Sequence, residues 1–308
     1  MIGSDSLALT VRNVSKTFGT NKAVDNLSFE IAEPGIFGLL GTNGAGKTTT
    51  IRMILGIMSK DEGEILWDGK EVSRKTVSYG YMPEERGIYP KVRVFEQLVY
   101  FGCLRGMNRH DAQKSAKSWL ERLGVSEYTN MIADKLSKGN QQKIQLIAAL
   151  IHDPTLIFLD EPFSGLDPIN TDAFKNIIDE LKDRKKTIIM SAHQMYTIEQ
   201  FCRDILILDR GRTVLKGNLR EIKAGYGHTN LSLGCSPDAA GTILPLAEKH
   251  GLRLIEQKPD GFEFKISGEQ SAQAFIAELI GGGFYPERYE IRQPSLHEIF
   301  VEKVGAAV

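Results

Sequence analysis

Three groups of residues in this chain could do chemistry on a phosphate. The stretch Gly41-Thr42-Asn43-Gly44-Ala45-Gly46-Lys47-Thr48-Thr49 meets the pattern G-x-x-x-x-G-K-[ST] through Gly41, Gly46, Lys47 and Thr48. Its glycines let backbone N–H groups crowd round an anion where a Cβ would collide. Lys47 would reach the β- and γ-phosphates of a nucleotide, and the Thr48 hydroxyl would ligate magnesium. The second group is Asp160 and Glu161, delivered by the apolar run Leu156-Ile157-Phe158-Leu159. Beside a triphosphate, Asp160 suits a magnesium ion, directly or through water, and Glu161 suits the polarising of an attacking water. The plain alternative is a polar strand end before Pro162. The third group, Leu136-Ser137-Lys138-Gly139-Asn140-Gln141-Gln142, puts a hydroxyl and a glycine at a helix start. It is either a second anion site or an ordinary N-cap.

Two further side chains belong with these. His193 follows an apolar run at a strand end, where open α/β sheets bind ligands, and a γ-phosphate contact fits it. The other five of the six histidines form no metal-ligand spacing. Phe18 either stacks on an adenine face or packs on its sheet.

Such groups need elements to hold them. Ile36–Leu40 reads as a buried strand before the glycine loop, and Ile51, Ile54, Leu55 and Met58 recur behind it at helical spacing. Extended stretches at Leu7–Val14 and Val24–Ile31 flank a turn at Phe18–Asn21, and further strands are expected at Glu64–Trp67 and Val77–Tyr81. Helices are expected at Val94–Arg105, Asp111–Leu123 and after Gly139, forming a helical insert. Strands and helices then alternate from Leu156 to Leu215, as in a parallel-sheet α/β domain. After Gly225-Tyr226-Gly227-His228 the pattern restarts in the order β-α-β-β-α-β, the ferredoxin-like arrangement, with one more helix at Ser295–Lys303. The expected domains are therefore 7–225, an α/β phosphate-binding core with a β-subdomain and a helical insert, and 226–308, a small α+β domain.

At 308 residues the chain has ample length for two cores. A net charge of −1 leaves no basic footprint for nucleic acid. Three scattered cysteines without a C-x-x-C pair argue for a reducing compartment and against a disulfide framework or zinc ribbon. No apolar run approaches the ~20 residues of a membrane helix, and the N-terminus lacks the plan of a signal peptide. A soluble cytoplasmic protein is expected, with any membrane role coming through a partner.

Taken in order, GTNGAGKTT, LSKGNQQ, LIFLDEP, SGLD and SAHQ resemble the Walker A, signature, Walker B, D-loop and switch-histidine motifs of ABC transporter ATPases. The resemblance covers roughly residues 7–225. It implies ATP and Mg2+ as cofactors, with Phe18, Gly41–Thr49, Ser137, Gly139 and Asp167 on the nucleotide. Thr48, Asp160 and Glu84 would serve the metal, and Glu161, His193 and Lys47 the catalysis. It further implies that Ser137 and Gly139 contact the γ-phosphate of ATP held by a second subunit, with Asp167 between the two sites. Two copies, a homodimer or a heterodimer, would drive a transmembrane permease encoded as a separate chain, from the cytoplasmic face of the membrane. No nucleic acid is expected; a non-transport ABC ATPase working on nucleic acid or ribosomes is the alternative. Three positions depart from the usual pattern. Thr42 replaces a proline, Lys138 and Asn140 replace glycine and glutamine, and Glu84 stands where the Q-loop glutamine is usual. A carboxylate at Glu84 can still ligate magnesium, directly or through water. Residues 226–308, above all Pro294-Ser295-Leu296-His297-Glu298-Ile299-Phe300, resemble the C-terminal extension of bacterial exporters that include sodium-extrusion and drug-resistance ATPases.

Overall fold

The structure, a computed structural model, describes residues 9–73, 75–85, 87–192 and 195–305. The chain divides into two compact units, Met1–Gly217 and Asn218–Val308.

In the first unit, β1 (Leu9–Phe18) and β2 (Asn21–Ile31) form a hairpin whose turn uses Gly19 at φ 58°. The chain runs through β3 (Gly35–Gly41) into α1 (Lys47–Ile54), then β4 (Glu62–Trp67), β5 (Lys70–Glu71) and β6 (Tyr79–Met82). Three helices follow, α2 (Val94–Leu104), α3 (Arg109–Arg122) and α4 (Lys138–Leu150). Then come β7 (Leu156–Asp160), α5 (Pro168–Asp183), β8 (Thr187–Ala192), α6 (Met195–Phe201), β9 (Asp204–Asp209) and β10 (Arg212–Asn218).

These strands make an antiparallel sheet in the order β2-β1-β4-β5 and a second sheet in the order β10-β9-β3-β8-β7-β6, whose pairs from β9 to β6 are parallel. Every residue of β7 and β8 is buried. That is why these strands read as unbroken apolar runs: a parallel sheet is covered on both faces. One core joins the two sheets, with Leu9, Leu27 and Phe29 packed with Phe37, Ile51 and Phe158. Phe29 stacks on Phe37 at 5.1 Å between ring centroids. The helical insert meets the sheet at Gly80 of β6, where an added Cβ would lie 2.1 Å from the Ala149 carbonyl oxygen of α4. Helix and strand approach there too closely for any side chain.

The second unit starts with α7 (Leu219–Tyr226), which the sequence reading did not anticipate. Asn218 caps it, its side chain accepting from the N–H groups of Arg220 and Glu221, and the Tyr226 hydroxyl donates to Glu302 at 3.1 Å. Those ties group this helix with the second unit, whereas the sequence reading opened that domain after it. Next come β11 (Asn230–Gly234), α8 (Ala240–Lys249), β12 (Arg253–Lys258), β13 (Gly261–Lys265), α9 (Glu269–Gly281), β14 (Arg288–Arg292) and α10 (Leu296–Gly305). The sheet is antiparallel in the order β12-β13-β11-β14, so its first and third strands lie at the centre as the ferredoxin-like arrangement requires. Alternate residues Leu231, Leu233, Phe262 and Phe264 pack with Ile243 and Phe275, from α8 and α9. The opposite face is polar and joins α10 through Glu298. That carboxylate accepts from Arg292 at 2.9 Å, from the Ser295 N–H at 2.7 Å, from the Ser295 hydroxyl at 2.8 Å and from the Asn230 amide. Burial opposes its ionisation, but these donors outweigh burial and hold it down at about 2.

Candidate functional site

The glycine loop joins the C-terminal end of β3 to α1, and its backbone is possible only with glycine at two points. Gly41 sits at φ 156°, where a Cβ would come within 2.5 Å of the Leu208 carbonyl oxygen. Gly46, the N-cap of α1, sits at φ 105°, and a Cβ there would lie 2.5 Å from the Ala23 carbonyl oxygen. The loop is pressed between β9 on one side and β2 on the other. The first N–H groups of α1 have no intrahelical acceptor, and the positive end of the helix dipole lies at the same place. Thr42 to Thr49 line a cavity of 220 Å³ together with Ala23, Glu84 and Glu161.

Lys47 is buried. Its Nζ donates to the Gly41 carbonyl at 2.8 Å and the Thr42 carbonyl at 3.3 Å, and stands 3.6 Å from Glu161 Oε1. Glu161 is also buried and holds φ 52°, in the left-handed region that a glutamate seldom takes. Its N–H donates to the Ser191 hydroxyl at 3.0 Å and its carbonyl accepts from the Ser164 N–H at 3.1 Å, which pins the turn. Strain held in place by neighbours is a common mark of a working site.

Asp160, at the end of β7, has no solvent exposure. The Ser191 hydroxyl donates to its Oδ1 at 2.5 Å, while its Oδ2 is buried without a hydrogen-bond partner. A buried carboxylate oxygen without a donor is costly unless a cation meets it. Among the described residues no group of three histidine, cysteine or acidic side chains could hold a metal ion by itself. A magnesium ion does not need one: a carboxylate or two, a hydroxyl, waters and substrate phosphates suffice. The donors at Thr48, Asp160 and Glu84 fit that pattern.

Other expected site residues gather elsewhere on the unit. Ser137 is the N-cap of α4, its hydroxyl accepting from the Asn140 N–H at 3.3 Å. Asp167 is the N-cap of α5 and accepts both the Asn170 N–H at 2.8 Å and the Asn170 side-chain amide at 2.7 Å. A Cβ on Gly139 would meet that same amide nitrogen at 2.8 Å, so the start of α5 lies close against the start of α4. Gln142 adds a bond to the Ser164 carbonyl at 2.6 Å. None of Ser137, Gly139 and Asp167 lines the cavity of the glycine loop. Phe18 does not line it either; its ring is half-exposed at the end of β1, with Lys16 Nζ 5.7 Å from the centroid. His193 lies outside the described residues.

Sequence reasoning passed over Ser191 and Asn170. Ser191 was legible only as the first polar residue closing an apolar strand, and Asn170 only as the third residue after an N-cap aspartate.

Comparison with known proteins agrees with this geometry. The ABC transporter family model matches residues 24–164, and that of the C-terminal domain of DrrA1-3-like ATP-binding proteins matches residues 217–304. The chain is 46% identical to the uncharacterized ABC transporter ATP-binding protein YhaQ of Bacillus subtilis (strain 168), over 97% of this chain and 99% of that one. It is 33% identical to the linearmycin resistance ATP-binding protein LnrL of the same organism, over 96% and 98% of the two chains. A solved ATP-binding subunit of an ABC transporter superposes with a TM-score of 0.65 at 28% identity, covering 71% of this chain and 93% of that one. Fold, loop chemistry and relatives meet in one conclusion: this chain belongs to the ABC transporter family as an ATP-binding subunit, an ATPase.

Proposed function

We propose that two copies of this subunit, or this subunit and a homologue, hydrolyse ATP at sites shared between them and thereby power export through a separately encoded membrane permease. One observation carries the reading: the expected nucleotide residues fall into two groups that a single chain does not bring together. The glycine loop, Glu161 and Glu84 line one cavity, with Asp160 buried next to Glu161 at the end of β7; Ser137, Gly139 and Asp167, with Asn170 between the two helix starts, form the other group. Each is half of a phosphate site, and a head-to-tail pair completes both.

In that arrangement the backbone of Thr42–Thr49 and Lys47 bind the β- and γ-phosphates, and Phe18 stacks on the adenine. Lys47 exchanges its contacts with the loop carbonyls for phosphate oxygens. Glu161 polarises the attacking water, and His193 contacts the γ-phosphate. Ser137 and Gly139 of the second copy close the site, with Asp167 between the two. Thr48, Asp160 and Glu84 would hold a magnesium ion, which when bound neutralises phosphate charge. No helix among the described residues is long and apolar enough to cross a membrane. A peripheral position on the cytoplasmic face, docked on the permease through the helical insert and the Glu84 loop, accords with that. The permease selects the cargo.

Glu161→Gln tests the reading. It should bind ATP, hydrolyse it at least ~10²-fold more slowly and accumulate as an ATP-bound dimer on size exclusion. Near-normal turnover would remove Glu161 from its role. Purification from membranes should recover a polytopic protein; recovery with RNA or ribosomes instead would count against transport.

A further inference from the structure

The strand that carries Asp160 lies between β8 and β6, and each neighbour brings a hydroxyl toward the carboxylate. From β8, Ser191 stands opposite Asp160 in register and bonds Oδ1 at 2.5 Å. From β6, Tyr81 stands opposite Phe158, two residues before Asp160. Residues two apart on a strand share a face, so Tyr81 and Asp160 are diagonal neighbours on one face of the sheet. That separation is within reach of a long aromatic side chain. The Tyr81 ring packs on the core beneath α1. Its hydroxyl and Asp160 Oδ2 are both buried, and neither meets a partner in hydrogen-bond geometry, while the Asp160 carboxylate and the Arg52 guanidinium lie near the phenol.

Two orphaned polar atoms on adjacent strands at one site are unusual, because buried polar groups are nearly always partnered. A phenol keeps its proton at neutral pH, so it meets the carboxylate as a donor. The same strand leads through Pro83 directly to Glu84, which lines the glycine-loop cavity.

We propose that Tyr81 is a positioning residue for Asp160: in the loaded site its hydroxyl donates toward Oδ2, directly or through one water, and fixes the carboxylate from the side opposite Ser191. The inference rests on the reading of Asp160 as a metal-holding carboxylate. Donors behind a metal-binding carboxylate orient it, and their loss typically weakens metal binding by about 10–100-fold.

The test uses the full chain with Tyr81→Phe and Asp160→Asn variants. ATP binding is measured with chelator present, and Mn2+ is then titrated into each protein–ATP complex and followed by electron paramagnetic resonance. Tyr81→Phe should leave metal-free ATP affinity and thermal stability unchanged while weakening Mn2+ binding by about tenfold or more. Asp160→Asn should abolish the protein-dependent part of Mn2+ binding. If Asp160→Asn loses it and Tyr81→Phe binds Mn2+ like the parent, Tyr81 has no such role. If Asp160→Asn also binds Mn2+ like the parent, the reading of Asp160 fails and the proposal falls with it. A Tyr81→Phe protein that loses metal-free ATP binding in parallel would make Tyr81 a packing residue and overturn the proposal.

Discussion

Replacing Ser191 with alanine isolates the hydroxyl that organises both carboxylates. Ser191 and Asp160 have no exposure and Glu161 only 6%. The change deletes the 2.5 Å bond to Asp160 Oδ1 and the 3.0 Å bond from the Glu161 N–H. These losses are unequal. The Glu161 N–H keeps the Ser191 carbonyl at 3.3 Å, so little is lost there. Asp160 is left with neither oxygen bonded, since its Oδ2 has no partner. A hydrogen bond to a buried charged group contributes about 1.5–3 kcal/mol, so the expected destabilisation is about 2–3 kcal/mol. Urea unfolding followed by tryptophan fluorescence reads this cleanly. The only two tryptophans, Trp67 and Trp119, are buried in the first unit, so the signal reports that unit alone. With a urea slope of about 3 kcal/mol per molar, the midpoint should fall by about 0.8 M. Magnesium with ATP should restore part of the loss, because a cation on Asp160 replaces the missing donor. A midpoint shift below about 0.2 M, with or without magnesium, would show that Ser191 does not hold Asp160.

Two pH-linked outcomes follow from groups away from the site. Burial, then Arg105, pushes His152 down to about 4 against the 6.5 of a free histidine, while its Nε2 stays 3.1 Å from the Tyr79 carbonyl. The unfolded chain therefore binds more protons between those values. First-unit stability should fall as pH drops from about 6.5 to about 4, by at most about 1.4 kcal/mol per pH unit, and His152→Gln should flatten that slope in urea titrations. Glu298, at about 2 folded against 4.5 free, adds stability that is present above 4.5 and lost as pH falls toward 2. Glu298→Gln should destabilise the second unit by about 1–3 kcal/mol, read as faster hydrogen exchange in β14 and α10 with tryptophan fluorescence unmoved.

Much of this was legible in the amino-acid order because the chemistry and the local geometry coincide. The glycines of the loop are there for backbone reasons that the pattern itself encodes, and a wholly buried strand such as β7 must be apolar up to the carboxylates it delivers. Boundaries slipped where apolar periodicity ran short. The helix α7 is only 8 residues long, so its apolar residues Leu219, Ile222 and Tyr226, though at helical spacing, make too short a run to stand out. What stayed hidden in the site was lateral. Ser191, Asn170 and Tyr81 act across strands or between helix starts, and such pairings depend on sheet order, which single-chain periodicity does not contain. The ordering of β6, β7 and β8 had to be seen before Asp160 could be given neighbours.

The close approach at Gly80 gives α4 a mechanical character. Its 13 residues span about 20 Å, with Ser137 at one end and Ala149 seated against the sheet near the other. One end of the helix is thus seated on the strand that leads to Glu84, and its Ser137 end is held to the turn after Glu161 by the bond from Gln142 to the Ser164 carbonyl, so the helix spans the distance between the two as a strut. A tilt of about 10° about the seated end would sweep the Ser137 end through about 3 Å, the length of a hydrogen bond. A residue larger than glycine at position 80 would lift the seated end off the sheet and move the Ser137 end with it.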